Sequence, residues 1–142
     1  MKSPKSVLLV TNATTDAEIS LIKSAISTQT DMQISLNLVH VIPSLPTCYF
    51  NIPSTIHLAE KYYAEAETSL AMIGKMLNVS EKRQWLITGR IKHEVLRLAH
   101  SLNIDFILAS STNIPELHKT SSFHRHDKNL TLIQSINNLV RL

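Results

Sequence analysis

Glycine is scarce in this sequence, which has only Gly74 and Gly89 among its 142 residues. Loops that hold phosphate groups are usually rich in glycine, because their backbone N–H groups must approach the anion closely and often at positive φ. Neither a P-loop nor a G-x-G-x-x-G fingerprint occurs in the chain. A nucleotide site of either glycine-rich kind is therefore excluded.

Cysteine and long apolar runs are also nearly absent. Cys48 is the single cysteine, so the chain can form neither an internal disulfide nor a thiolate metal cage, as suits a reducing compartment. No apolar run approaches the length of a membrane span, and the run at 7–10 is too short for a signal peptide. These absences predict a cytoplasmic protein with no membrane partner.

Catalytic and metal-binding motifs are missing as well. The chain has no G-x-S-x-G elbow and no H-E-x-x-H pair, and we therefore expect no enzyme activity. His118, His124 and His126 lie close together, but their spacing matches no standard zinc pattern and is more typical of a polar loop. The net charge of +3 is mild and forms no dense basic stripe, so a specific nucleic-acid partner is not expected.

What the sequence does contain is a regular alternation of strands and helices. Short apolar runs without internal alternation predict strands covered on both faces, and apolar positions three and four residues apart predict helices. The strands are predicted at 6–10, 34–41, 83–88, 106–109 and 139–142. The helices are predicted to begin at the capping-box spacing of 15–18 and to cover about 55–78, 91–102 and 130–136.

This order of elements predicts the fold class and the place of a site. Strict alternation indicates an α/β fold, in which one parallel sheet has helices on both faces and right-handed crossovers. Residues 1–142 show no internal repeat and no linker, as expected of a single domain. The fourth strand ends in Ser110, Ser111 and Asn113, at the edge where parallel sheets usually meet a ligand.

At this point the chain resembles the universal stress protein family. The opening PKSVLLVTNATTDAE is similar to that family's first strand and turn, and Val39-His40-Val41 to the end of its second strand. The segment ITGRIKHEVLRLAHSLNIDFILAS resembles the family's lone glycine, helix and Asp-led strand, and SINNLVRL resembles its closing strand. The likeness implies a Rossmann-like five-stranded parallel sheet in the order 3-2-1-4-5.

The resemblance also bears on nucleotide binding. Family members that bind ATP carry G-x2-G-x9-G-[ST] after the fourth strand, and here those positions hold Ser110, Asn113, Phe123 and His124. The family's nucleotide-reading aspartate falls on Asn12. The chain therefore resembles the subfamily that lacks ATP binding, and no cofactor is expected. If a degenerate nucleotide pocket persists, its residues would be Asn12, Val41, Ser110, Ser111 and Asn113.

Two functions stay open at the level of sequence. The first is a non-enzymatic stress-response protein that acts through protein contacts as a homodimer, paired through a C-terminal edge strand that includes Leu139, Val140 and Leu142. The second is a binding module for a small molecule or an adenine nucleotide with a degenerate phosphate loop. Hydroxyl and amide groups after the fourth strand could still hydrogen-bond such a ligand.

Overall fold

The computed structural model of the chain describes residues 5–12, 14–28, 34–44, 53–110, 113, 117 and 131–135. Strands and helices alternate through these residues. The strands are β1 Lys5–Val10, β2 Ile34–Ile42, β3 Gln84–Thr88, β4 Phe106–Ala109 and β5 Thr131–Ser135. The helices are α1 Asp16–Thr28, α2 Pro53–Met76 and α3 Ile91–Ser101, with a short 3-10 helix at Glu81–Arg83.

All strand pairs in the sheet are parallel, and the strand order is β3-β2-β1-β4-β5. The first strand is central: Val10 pairs with Val39 of β2 on one side and with Ala109 of β4 on the other. The predicted α/β class with a parallel sheet is therefore confirmed, and strands β3, β2, β1 and β4 stand in the predicted order.

The last described strand lies where the sequence predicts a helix. Residues 130–136 were predicted as a helix, but Thr131–Ser135 form β5, whose register with β4 shifts between Phe106 and Leu108. Leu130, Ile133 and Ile136 have helical spacing, yet so short a run carries no decisive periodicity, and β-branched Thr131 and Ile133 favour a strand. The strand predicted at 139–142 lies outside the described residues.

Two apolar cores cover the two faces of the sheet, as expected for helices on both sides. Alternate residues of β1 supply them: Leu8 and Val10 face α3, whereas Val7 and Leu9 face α1 and α2. The helices contribute Val95, Leu96 and Ala99 to the first core, and Ile19, Ile22, Leu70 and Ile73 to the second. Both faces of β1 are thus buried, which explains its unbroken apolar sequence.

A capping box begins α1, and asparagine rather than glycine follows α2 and α3. The predicted capping box at the start of α1 is confirmed, since Thr15 N donates to Glu18 Oε1 and Glu18 N donates to Thr15 Oγ1. After α2 and α3, Asn78 and Asn103 adopt positive φ, at 57° and 53°. Asparagine tolerates this conformation better than most residues, so it takes the place that glycine usually has after a helix.

Gly74 is required by close packing rather than by conformation. It lies inside α2, where a Cβ atom would stand 2.1 Å from Nε2 of Gln84 on β3. The Gln84 amide also donates to the carbonyl of Val79, at 2.9 Å. The missing side chain therefore allows the end of α2 to lie directly against the start of β3.

Candidate functional site

The carboxyl ends of β1 and β4 meet at the point where the strand order reverses. Thr11 and Asn12 follow β1, and Ser110 and Asn113 follow β4. In open α/β sheets, connections leave in opposite directions at such a point and create a crevice for a ligand. Four of the five residues predicted to line a pocket are brought together at this edge; Ser111, the fifth, lies outside the described part of the chain.

The side chain of Asn12 is bound to both backbone groups of Val41. Its Nδ2 donates to the Val41 carbonyl at 2.7 Å, and its Oδ1 accepts from the Val41 N–H at 2.9 Å. Thr11 N already donates to the Val39 carbonyl, so the carboxamide continues the β1–β2 hydrogen-bonding ladder by one step. We call this pair of bonds the Asn12–Val41 latch. It uses the donor and the acceptor that Val41 would otherwise offer to a ligand.

Asn113 ties the turn after β4 to the turn after β1. Its Nδ2 donates to the backbone carbonyl of Asn12, and its own N–H donates to the Ser110 carbonyl at 2.9 Å. Its carbonyl accepts from Leu117 N at 3.2 Å. Ser110 and Asn113 are both buried. The backbone N–H of Asn113 is therefore directed into the turn, whereas a phosphate cradle would need it free.

Thr11 and His40 form a second polar contact on the α1 and α2 side of the sheet. Thr11 Oγ1 donates to the Val39 carbonyl at 3.2 Å and lies 3.2 Å from His40 Nδ1. With its own hydrogen committed to Val39, the hydroxyl can accept a hydrogen bond from Nδ1. Burial lowers the pKa of the half-buried His40 imidazole below its ordinary value. These contacts indicate a structural role for His40.

A cavity of about 700 Å³ lies elsewhere, between α2 and the ends of β2 and β3. Because Tyr62 and Tyr63 belong to the apolar pattern of α2, the sequence predicts that both pack against the sheet and does not indicate this cavity. Instead they are 51% and 49% exposed, and both line the cavity. Tyrosine carries an apolar ring and a polar hydroxyl, so the apolar pattern of the helix does not require either ring to be buried.

Other features that would indicate a function are not found in the described ranges. They contain no cluster of three or more His, Cys, Asp or Glu side chains able to hold a metal ion. No helix among the described residues is long and apolar enough to cross a membrane. His118, His124, His126 and Cys48 lie outside the residues that the structure describes.

The fold and the crevice define an open α/β domain of the doubly wound type. No family model matches the chain. Over 80 residues it is 35% identical to universal stress protein A homolog 1 of Coxiella burnetii, an alignment that covers 54% of this chain and 56% of that protein. The chain thus spans about half the length of the curated relative it matches. The resemblance to universal stress proteins is confirmed by this relative.

Solved structures share the fold over a longer range. The structure of the hypothetical protein MJ0577 matches with a TM-score of 0.63 and 23% identity, covering 92% of this chain and 95% of that one. The hypothetical protein PH0823 matches with a TM-score of 0.49 and 15% identity over the same shares, which is too low to support an argument. At such identities MJ0577 supports the α/β fold alone.

Proposed function

We propose that the chain is a universal stress protein that acts in the cytoplasm without enzymatic activity and without binding ATP, as a homodimer that works through protein contacts. Similarity to a curated universal stress protein A homolog and the shared fold support the family. The observation that carries the absence of ATP binding is the Asn12–Val41 latch, in which the Asn12 side chain bonds both backbone groups of Val41.

The Asn12–Val41 latch opposes the binding of adenine. An adenine ring presents a donor and an acceptor side by side, and a backbone N–H and C=O from one residue can match them. In this chain the carboxamide of Asn12 supplies the same pair to Val41. A ligand must break both bonds before it gains any, so its net gain is small. An aspartate at this position would leave the Val41 carbonyl without a donor.

The turn after β4 opposes the binding of phosphate. Phosphate cradles depend on several backbone N–H groups that point together at the anion. Asn113 stands at a glycine position of the ATP motif, and its N–H is bonded to the Ser110 carbonyl. Its side chain is bonded to Asn12. The backbone N–H and the side chain of Asn113 are therefore already bonded within the protein.

The polar groups of the crevice that the structure describes also offer no reactive pair. Thr11 and His40 are a hydroxyl and an imidazole within hydrogen-bonding distance, but the hydroxyl is buried and its hydrogen is donated to Val39. A nucleophile needs an exposed oxygen whose proton the base can take. We therefore assign the pair a structural role, which supports a function through binding of other proteins.

The alternative is a binding module for an adenine compound with a degenerate phosphate loop, and the matched donor and acceptor of Val41 favour it. Calorimetry with Mg-ATP and with adenosine separates the two proposals. No heat of binding is expected for either ligand. If adenosine binds and Mg-ATP binds no more tightly, the result favours the alternative. Mg-ATP binding with a Kd of about 1 μM, which corresponds to ~8 kcal/mol, would refute both proposals.

A matched pair of variants tests the latch itself. Asn12→Asp keeps the acceptor for the Val41 N–H but removes the donor to its carbonyl, so adenosine binding should become measurable. Asn78→Asp makes the same chemical change after α2, where aspartate also tolerates positive φ. It should leave adenosine binding undetectable. Equal behaviour of the two variants would show that the latch does not control the crevice.

A further inference from the structure

The cavity beside α2 is separate from the crevice at β1 and β4. Its volume of about 700 Å³ lies within the roughly 300–1,000 Å³ of ordinary small-molecule sites. None of Asn12, Val41, Ser110 and Asn113 lines it. The lining residues with polar groups are His40, Tyr62, Tyr63, Glu65, Ser69 and Thr88.

The way α2 packs creates this cavity. In the second half of the helix, Leu70 and Ile73 are buried against the sheet. Nearer its start, Tyr62 and Tyr63 are about half exposed, so the helix stands away from the strands there. The floor comes from the ends of β2 and β3, where Ile42 pairs with Thr88. Two strands and one helix thus border the space, which is partly open to solvent.

The charges of the lining residues indicate which class of ligand the cavity can bind. Among the described residues that line the cavity, Glu65 carries the one formal charge at neutral pH, and there is no lysine or arginine. The imidazole of His40 is neutral at that pH because burial lowers its pKa. Among these lining residues an anion would meet a carboxylate and no cation, which disfavours nucleotides and other phosphorylated compounds.

The aromatic side chains favour the opposite charge. The faces of tyrosine rings attract organic ammonium groups, and an adjacent carboxylate strengthens that attraction. Glu65 forms an ion pair with Lys61, whose Nζ lies 4.0 Å from its Oε1 with both side chains largely exposed. Such an exposed pair is weak, so an ammonium group can compete for the carboxylate. Ala59 and Ala66 provide apolar lining for the rest of a ligand.

We propose that this cavity is a binding site for an organic amine with an apolar or aromatic body, whose ammonium group lies between Glu65 and the rings of Tyr62 and Tyr63. This site is independent of the crevice at β1 and β4 and of whether ATP binds there. It would give the chain a small-molecule ligand of a different chemical class from a nucleotide.

The first test compares two probes of similar shape and opposite charge, 2-phenylethylamine and 3-phenylpropionate, by amide NMR titration of the full chain. The amine should bind with a Kd on the order of 1 mM, as suits so small a ligand. The amide chemical-shift changes that the amine causes should be largest at residues 59–69 and Thr88. The carboxylate probe should bind at least about tenfold more weakly than the amine. Absence of amine binding, equal binding of both probes, or shifts centred on Ser110 and Asn113 would overturn the proposal.

The second test changes one charge at a time. Glu65→Gln should weaken amine binding about fivefold or more and leave the carboxylate probe no weaker. Glu67→Gln is the matched control, because Glu67 lies on the same helix and lines a different surface depression. Tyr62→Leu keeps the apolar volume but removes the ring, and it should also weaken the amine. If Glu67→Gln has the same effect as Glu65→Gln, the attraction is a general effect of charge and the site is refuted.

Discussion

Ser6 and Asp105 exchange two hydrogen bonds across the start of the sheet. The Ser6 N–H donates to Asp105 Oδ2 at 2.8 Å, and the Asp105 N–H donates to the Ser6 carbonyl at 2.8 Å. The carboxylate thus fixes the start of β4 against β1 before the first paired residues, Val7 and Phe106. The register of these two strands sets which residues meet at the crevice.

This contact predicts a loss of stability when the carboxylate is removed. Asp105→Ala leaves the Ser6 N–H without its charged acceptor, and we expect the free energy of unfolding to fall by about 1–3 kcal/mol. Urea denaturation followed by far-UV circular dichroism measures this change. Glu67→Ala on the exposed face of α2 is the control and should change stability by less than about 0.5 kcal/mol. An equal effect of the two substitutions would contradict the role of Asp105.

The contact of Gly74 with Gln84 predicts a non-additive pair of substitutions. In an open helix, Gly→Ala stabilises by roughly 1 kcal/mol. Here the added Cβ would meet the Gln84 amide at 2.1 Å and displace it from the Val79 carbonyl. We expect Gly74→Ala to destabilise the protein by about 1 kcal/mol, but to stabilise it when Gln84 is already alanine. A double-mutant cycle measured in urea tests this, and additive effects would contradict it.

The burial of His40 predicts how stability depends on pH. Its pKa is lowered in the folded protein, whereas in the unfolded chain it has the ordinary value of 6.5. The unfolded state therefore binds more protons, so the stabilising effect is present above pH 6.5 and is lost as the pH falls through the folded pKa. His40→Gln should show a smaller fall in stability between about pH 7 and pH 5. Identical pH profiles of the two proteins would refute the assignment.

Much of the fold follows from sequence because its determinants are local. The apolar runs of β1 and β4 and the Thr15–Glu18 capping box predict their elements directly, and the structure confirms them. The strand β5 was missed because its five residues pair at the sheet edge, and no local periodicity records that partner. Such short segments take their conformation from tertiary contacts.

The sequence predicted which residues lie at the site but not how they contact one another. The turn after β4 identified Ser110 and Asn113, since parallel strands end at one edge of the sheet, and the resemblance to universal stress proteins added Asn12. The latch could not be foreseen, because the Asn12 amide meets Val41 across 29 positions of sequence. The cavity at Tyr62 and Tyr63 depends on how far α2 stands from the sheet, which the helical pattern does not encode.

The homodimer is the prediction that bears most directly on the proposed function. Among the described strands β5 is the last in the sheet order, and an edge strand has N–H and C=O groups that can pair with another chain. Residues 139–142 follow it with the sequence LVRL, which has no proline and one charge to oppose association. A two-fold contact of this segment with its own copy would close the assembly.

Deletion of residues 138–142 should therefore yield a monomer that still folds, because β5 ends at Ser135 and the deletion removes none of its paired residues. Light scattering gives the mass, and circular dichroism reports the fold. Leu139→Asp should also produce a monomer, since it places a charge in an apolar contact between two copies. Asn138→Asp adds the same charge one position earlier and should leave the dimer intact. A truncated chain that stays dimeric, or a full chain that is monomeric at the same concentration, would refute this interface.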